Sequence, residues 1–454
     1  MQSNSQELFY SGPRGKAVKI LNRVDRMDAY LDKVLDFELK SDDLNDADRR
    51  LLAELVHGVL RWKGKLDYVL NGFYHGNFTN AETNVKNAMR VGLYQVFFLQ
   101  RVPPYAAVDE AVEFIKKLRG EKSAGVVNGV LRSILRTKDG IHYPDAKEAP
   151  VYYLSVMLSH PAWMVKRWYE RFGFDEASKL LAKNNERPPL TIRVNTAKIA
   201  AEELEKKLTG VGIEFERSNL VPSYLRVHLP PGIHGMADLD LFRDGLFTIQ
   251  DESTAFPVLL LNPGPGQRVI DLAAAPGGKT AFIAELMKGE GEVIAVDRYE
   301  TKLKLLAETC ERLGARNVRC VTADAATLDV EPADGVILDA PCSGLGVLRK
   351  KPDSKWKREP EDIAKLASIQ RGLLDNAAKL VKSGGILVYS TCTIEPEENL
   401  QQVGLFLERH PEFSVDDPSP FVPRAVLSKD GRYVETLPHI HDMDGSFAVR
   451  LKRV

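Results

Sequence analysis

Two cysteines occupy positions suited to chemistry. Cys342 lies in Asp339-Ala340-Pro341-Cys342-Ser343-Gly344 and Cys392 in Ser390-Thr391-Cys392-Thr393. Each directly follows a short apolar run, ADGVILD or GGILVYS, that reads as a strand. Cysteines used for packing belong inside helices and strands, whereas those on turns at strand ends are open to ligands and reaction. The remaining two, Cys310 in a helical pattern and Cys320 in the strand-like NVRCVTAD, read as small apolar core residues. No pair has the Cys-x-x-Cys spacing of a zinc ribbon, and no metal site is expected. Four cysteines in 454 residues do not make a disulfide framework, which fits a reducing compartment.

A second cluster follows the run RVIDL, where Ala273-Ala274-Ala275-Pro276-Gly277-Gly278-Lys279-Thr280 opens a helical stretch. Small side chains let a ligand approach the backbone closely, and a new helix presents free N–H groups. The turn is neither the G-x-G-x-x-G fingerprint nor a phosphate-cradling loop, whose leading glycine it lacks. Three acids end the next three strand-like runs: Asp297, Asp324 and Asp339. Asp297 comes twenty residues after Gly277, where a carboxylate accepts hydrogen bonds from ribose hydroxyls. Together these positions point to an adenosine-bearing cofactor. The missing phosphate clamp favours S-adenosylmethionine over NAD or ATP.

A thiol beside a methyl donor suggests methylation of a pyrimidine at C5. That carbon is too weak a nucleophile to take a methyl group directly. A thiolate adding to C6 makes C5 carbanion-like, C5 takes the methyl, a base removes the C5 proton, and the thiol leaves. An acid on the N3/N4 edge of the ring would stabilise the developing charge, and Asp339 is placed for that role. Spacing alone leaves Cys342 and Cys392 tied as the attacking group.

These loops need a scaffold. RVIDL, GEVIAVD, NVRCVTAD, ADGVILD and GGILVYS alternate with helical patterns such as KTAFIAELM and ETKLKLLAETCERLG. That alternation predicts a doubly wound parallel α/β sheet over residues 246–454. EFSVD and SFAVRLK are expected to close the chain as an edge hairpin. Residues 1–140 carry amphipathic helical stretches at Ala47–Leu70, Val85–Leu99, Ala106–Leu118 and Val126–Leu135, with Pro103 and Pro104 between two of them. Residues 141–245 read as connecting helices followed by a small α+β unit.

The formal net charge is -1, which excludes a uniformly basic coat for nucleic acid. Any RNA surface must be local. Arg349, Lys350, Lys351, Lys355, Lys357 and Arg358, with Trp356 among them, suggest a phosphate-contacting rim with a ring for stacking. Arg61, Lys63, Lys65, Arg90 and Arg101 are weaker candidates, and His57 reads as a packed histidine. Asp251 and Ser253 read as a helix cap. Pro396-Glu397-Glu398-Asn399 reads as a helix start with its acids facing the dipole. The start MQSNSQELFYSGPRGK lacks an apolar leader and no membrane-length apolar run occurs, so a cytoplasmic protein without a membrane partner is expected.

QDES at Gln250–Ser253, DLAAAPGGKT, VDR at Val296–Arg298, DAPCSGLG and STCTIEPEEN resemble the NOL1/NOP2/Sun group of RNA cytosine-C5 methyltransferases. ELVHGVLRWKGKLDYVL, VPPYAAVDEAV and VNGVLR resemble the NusB RNA-binding fold. The pairing implies a Rossmann-like methyltransferase sheet preceded by an all-α NusB-like bundle and a small α+β subdomain. It also implies a monomer acting on small-subunit ribosomal RNA rather than DNA. By this resemblance Ala273, Ala274, Ala275, Pro276, Gly277, Gly278, Lys279, Asp297, Asp324 and Asp339 line the S-adenosylmethionine site. Cys392 is the nucleophile and Cys342 assists product release. Ala273 stands where relatives often have cysteine. The competing reading is a non-catalytic RNA-binding or antitermination factor, or a C5-methyltransferase for another RNA.

Overall fold

The computed structural model describes residues 10–26, 31–230, 232–233 and 235–454. Most of the segment on which the expected lack of a leader rests, residues 1–9, lies outside the described residues. The chain divides into two units, Met1–Glu186 with Leu348–Arg358, and Arg187–Val347 with Glu359–Val454.

The first unit is helical: α1 Gly12–Asp25, α2 Leu31–Leu39, α3 Asp46–Phe73, α4 Thr83–Phe98, α5 Pro104–Arg119, α6 Glu121–Thr137, α7 Pro150–Met157 and α8 Ala162–Asn184. In α3 the three- and four-residue spacing puts Leu52, Leu55, Val56, Val59 and Leu60 on one face, all at most 1% exposed. Each such side chain contributes about 1.5–3 kcal/mol. The Asn45 side chain caps α3 by accepting from the Asp48 N–H, with Asp46 and Asp48 in its first turn. Pro104 takes the first turn of α5, where its missing N–H costs nothing. The helix α8 breaks at Gly173, whose φ of 77° suits glycine.

The segment Leu348–Arg358 belongs to this helical unit, and it overturns part of the expected phosphate rim. Lys355 is 1% exposed. Its Nζ donates to the carbonyls of Arg61 (2.7 Å) and Ser159 (2.8 Å) and to Asn185 Oδ1 (2.9 Å). Trp356 Nε1 donates to the Leu60 carbonyl at 2.6 Å, and its ring lies so near Gly64 that a Cβ there would meet it at 3.0 Å. Arg349 is buried and Lys357 pairs with Asp353 at 3.1 Å. Carbonyls of the α3 backbone, of Ser159 and of the Asn185 side chain take up these donors, a use that a run of basic letters does not reveal. Arg90 is likewise structural, pairing with Asp67 (2.7 Å) and Asp25 (2.8 Å), and Lys63 pairs with Asp25 at 2.7 Å. His57 packs as expected, its Nδ1 2.9 Å from the Ala53 carbonyl. Burial pushes its pKa down.

The second unit begins with β1 Leu190–Val194, α9 Ala201–Gly210, β2 Glu214–Arg217, β3 Tyr224–His228 and β4 Phe247–Ile249. These strands form an antiparallel sheet in the order β2-β3-β1-β4. The three-residue β4 is too short for its pattern to show in the sequence. Then follow α10 Ala255–Leu261, β5 Arg268–Asp271, α11 Gly278–Leu286, β6 Glu292–Asp297, α12 Glu300–Leu313, β7 Val318–Thr322, β8 Ala333–Asp339, α13 Pro360–Lys379, β9 Val381–Thr391, α14 Leu400–Arg409, β10 Phe413–Val415, β11 Val434–Thr436 and β12 Ser446–Arg453. The large sheet runs β10-β12-β9-β8-β5-β6-β7, with β11 beside β12.

The strands β7, β6, β5, β8 and β9 are parallel, and the four inner ones carry the buried apolar runs expected of strands covered on both faces. The chain starts in the middle at β5, winds out to β7, then returns to β8. The switch point therefore lies between β5 and β8, and their carboxyl ends open the ligand crevice. Two expectations change. The final strand β12 pairs with β10 but also with β9 over six residues, so it is interior and not half of an edge hairpin. Its buried run, Ser446 to Leu451, reflects that position. Conversely β7 is the outer strand, and Cys320 on it is exposed rather than core. Cys310 in α12 is buried.

Candidate active site

The register of β8 and β9 sets Asp339 opposite Ser390. Cys342 and Cys392 follow within three residues on adjoining loops, and their sulfurs lie 3.2 Å apart as free thiols. Cys392 is exposed and Cys342 half-buried. The Gly346 N–H donates to the Cys392 carbonyl at 3.1 Å, and Gly445 N–H donates to the Gly346 carbonyl at 2.8 Å. A Cβ on Gly346 would meet Gly445 O at 1.9 Å, so only glycine lets these three segments close. The Cys342 thiol is pushed well above the ordinary range. Its hydrogen bond with Cys392 is the main cause, then burial and the nearby charges of Cys392, Glu398 and Asp339.

Asp339 links the thiol edge to the Gly-rich turn. Its Oδ2 accepts from Lys279 Nζ at 2.6 Å and its Oδ1 from Ser390 Oγ at 2.9 Å. Burial works against the Lys279 charge, yet Asp339, then Asp271 and Cys392, hold the ammonium above its usual pKa. Beneath it Asp271, 1% exposed, accepts from Thr280 Oγ1 at 2.7 Å. Burial pushes that carboxyl up to about 6.

Main-chain bonds stitch the turn to both neighbouring strands. Leu272 N–H donates to Ile337 O and Ala274 N–H to Val296 O, each at 3.0 Å. Gly277 has φ 106°, and a Cβ there would meet Leu306 at 2.8 Å. Ala273 and Ala275 are partly exposed, Ala274 is buried and Pro276 is exposed. The small sheet braces α11, which starts at Gly278. Arg193, 1% exposed, pairs with Glu285, donates to Gln250 Oε1 at 2.9 Å and stacks 4.3 Å over Phe282.

Asp297 and Asp324 form a second group at the ends of β6 and β7. Asp297 Oδ1 accepts from the Tyr299 N–H at 3.0 Å. Asp324 accepts from the Ala326 N–H (3.0 Å) and from Arg298 (2.6 Å), and these donors lower its pKa. Carboxylates at strand ends suit ribose hydroxyls, and acids around the crevice suit a sulfonium cation. The donor set therefore fits S-adenosylmethionine.

Comparison with known proteins agrees with this geometry. The family model for the 16S rRNA methyltransferases RsmB/F matches residues 258–452, that of the NusB family residues 11–136, and a RsmF/B-like ferredoxin-like domain residues 160–234. A probable ribosomal RNA small subunit methyltransferase B of Bacillus subtilis is 40% identical over 97% of this chain and 98% of its own. The ribosomal RNA small subunit methyltransferase B of Yersinia enterocolitica is 35% identical over 96% and 98%. The chain belongs to the RsmB/F family of 16S rRNA methyltransferases. Among solved structures, PH0851 superposes with a TM-score of 0.80 at 28% identity, covering 98% of this chain and 99% of its own. NSun6 from Pyrococcus horikoshii, solved with SFG, gives 0.59 at 26% over 65% and 98%.

Sequence reasoning on this RsmB/F-family chain missed Asp271, Ser343, Gln370, Thr393 and Glu398. The helix start expected at Pro396 is present as a short 3-10 turn over Pro396–Glu398, ahead of α14. What its letters do not show is that the Glu398 carboxylate accepts from the Ser343 N–H (2.8 Å), Ser343 Oγ (2.5 Å) and Gln370 Nε2 (3.0 Å). Asp251 does cap a short turn, accepting from the Ser253 N–H at 3.0 Å. Among the described residues no helix is long and apolar enough to cross a membrane.

Proposed function

We propose that this S-adenosylmethionine-dependent ribosomal RNA methyltransferase methylates C5 of a cytosine in small-subunit ribosomal RNA through a covalent adduct on Cys392. The 3.2 Å approach of the two thiols beside Asp339 carries this reading. One thiol serves a single nucleophilic attack, and a second at that distance serves the release that must follow.

Ala273, Ala274, Ala275, Pro276, Gly277, Gly278 and Lys279 hold the cofactor with Asp297, Asp324 and Asp339. When bound, it supplies an electrophilic methyl group. The Cys392 thiolate adds through Sγ to C6 of the cytosine, and the C5–C6 π electrons move to C5, which takes the methyl as the methyl–sulfonium bond breaks and leaves a neutral thioether. Asp339 accepts from the amino edge of the ring and orients it. Loss of the C5 proton to a base restores the double bond as the C6–S bond breaks. Cys342, whose raised pKa keeps it a thiol at neutral pH, then meets the departing sulfur. The flipped base reaches the strand ends from a single-stranded or opened RNA region. The protein acts as a cytoplasmic monomer on RNA, not DNA, and without a metal or membrane.

Labelled methyl donor and small-subunit RNA test this. Cys392→Ala is expected to lose methylation and form no adduct. Cys342→Ala is expected to accumulate a protein–RNA complex that survives denaturation. The reverse pattern would exchange the two roles, and no adduct in either variant would end the covalent reading.

A further inference from the structure

The residues immediately after the two thiols are joined. Ser343 Oγ and Thr393 Oγ1 lie 2.8 Å apart, and both side chains are at most 1% exposed. A single carboxylate grips this pair. Glu398, fully buried, accepts from both the N–H and the hydroxyl of Ser343 and from Gln370 Nε2. Gln370 also donates to the Pro341 carbonyl at 2.9 Å, on the other side of Cys342. Thr393 O accepts from Asn399 Nδ2 (2.9 Å), and Tyr389 OH donates to the Glu398 carbonyl (2.6 Å). The Ser343 N–H and Gln370 Nε2 can only donate, and the Ser343 hydroxyl can turn its proton to Thr393 instead, so glutamine at 398 can keep much of the clamp while alanine removes it. Burial raises the Glu398 pKa while Ser343, Gln370 and Thr393 oppose the rise.

We propose that Glu398 is a positioning residue for the release half of the reaction. By fixing Ser343, and Thr393 through the Ser343 hydroxyl, it sets the distance at which Cys342 takes over from Cys392. This rests on the two-thiol reading above. The consequence is specific. Loosening the clamp frees the Cys342 loop, while Cys392 keeps the strand end of β9 beneath it. Adduct formation then survives better than its resolution.

The test uses the full-length protein with Glu398→Gln, Glu398→Ala and the milder Ser343→Ala, each checked for a cooperative thermal transition. The first readout needs neither RNA nor cofactor: the rate at which a mild thiol oxidant joins Cys342 to Cys392, followed by peptide mass. A loop displaced by about 1 Å should slow that rate on the order of 10- to 100-fold. The second is the trapped protein–RNA complex, expected to build up as in Cys342→Ala, with kcat and KM for RNA falling together and kcat/KM held. Thr393→Ser, which keeps the hydroxyl, should retain the wild-type oxidation rate. A folded Glu398→Ala protein that oxidises at the wild-type rate would overturn the proposal, as would equal loss of adduct formation and release. Failure of the two-thiol reading shows differently. Cys342→Ala would then trap nothing, while the oxidation rate would still report on the clamp.

Discussion

Lys279 and Lys355 are both drawn out of water, with opposite results. Lys279 meets Asp339 at 2.6 Å, and its ammonium is held above the usual range. Lys355 meets two backbone carbonyls and the Asn185 amide oxygen, and burial, with Arg61 nearby, pushes its pKa well below that range. Lys279 makes one short bond, to Asp339, whereas Lys355 fills all three of its donors. Only the first has a counter-charge. A buried cation beside a carboxylate at a strand end keeps a field for a ligand to use. A buried cation among carbonyls ties helix ends together and serves folding. The two regions thus show which buried charges are poised for chemistry and which close a core.

The sharpest way to break this comparison is to remove each amine. Lys279→Met strands Asp339 Oδ2, while Oδ1 keeps its bond from Ser390. Methyl transfer should fall about 10²- to 10³-fold, the usual cost of one preorganised polar contact at a reacting centre. Wild-type turnover under saturating cofactor and RNA would remove Lys279 from the site. Lys355→Met instead strands the Ser159 carbonyl and Asn185 Oδ1, at about 1–3 kcal/mol each, and should lower stability by roughly 3–4 kcal/mol. Differential scanning calorimetry should register a drop of about 6–12 °C. Turnover per folded molecule should hold, and a variant that melts normally would mean those carbonyls find other donors.

A pH measurement separates the regions further. Asp271, beneath Lys279, has its carboxyl raised from 3.8 to about 6 by burial. Between those values the folded protein binds more protons than the unfolded chain, so stability falls as pH rises through that window. Two units correspond to about 3 kcal/mol. Asp271→Asn keeps an acceptor for Thr280 and removes the titration. Urea midpoints from pH 4 to 6.5 should therefore slope less in the variant, and parallel curves would refute the assignment.

The comparison also shows what the sequence could carry. Parallel strands buried on both faces announce themselves as unbroken apolar runs, and α3 announces itself by its three- and four-residue spacing. Cys342 and Cys392 were legible because each sits just past such a run, and the sheet register does the rest. The role of Lys355 was not legible, because its partners Arg61, Ser159 and Asn185 lie far away in the chain, and carbonyls have no letter of their own. Glu398 was half legible: Pro396–Glu398 is the short helical turn its letters announce, but its partners, Ser343 and Gln370, come from the Cys342 loop and from α13. Edge position misled at both ends of the sheet, for Cys320 and for β12, since strand order is a property of the whole chain.

The smallest expected effect probes the second carboxylate group. Arg298 and Asp324 pair at 2.6 Å on the surface, and exposed pairs of this kind add little to stability. Neither Arg298→Gln nor Asp324→Asn should move the melting temperature resolvably. If Asp324 lines the cofactor site, its loss should nonetheless weaken binding of S-adenosylhomocysteine about tenfold by calorimetric titration, the worth of a hydrogen bond to a charged acceptor. Arg298→Gln frees the same carboxylate, so its affinity should hold or rise. Equal weakening in both variants would mean that the ion pair itself shapes the loop. Unchanged binding in both would remove Asp324 from the cofactor site and leave Asp297 and Asp339 to hold it.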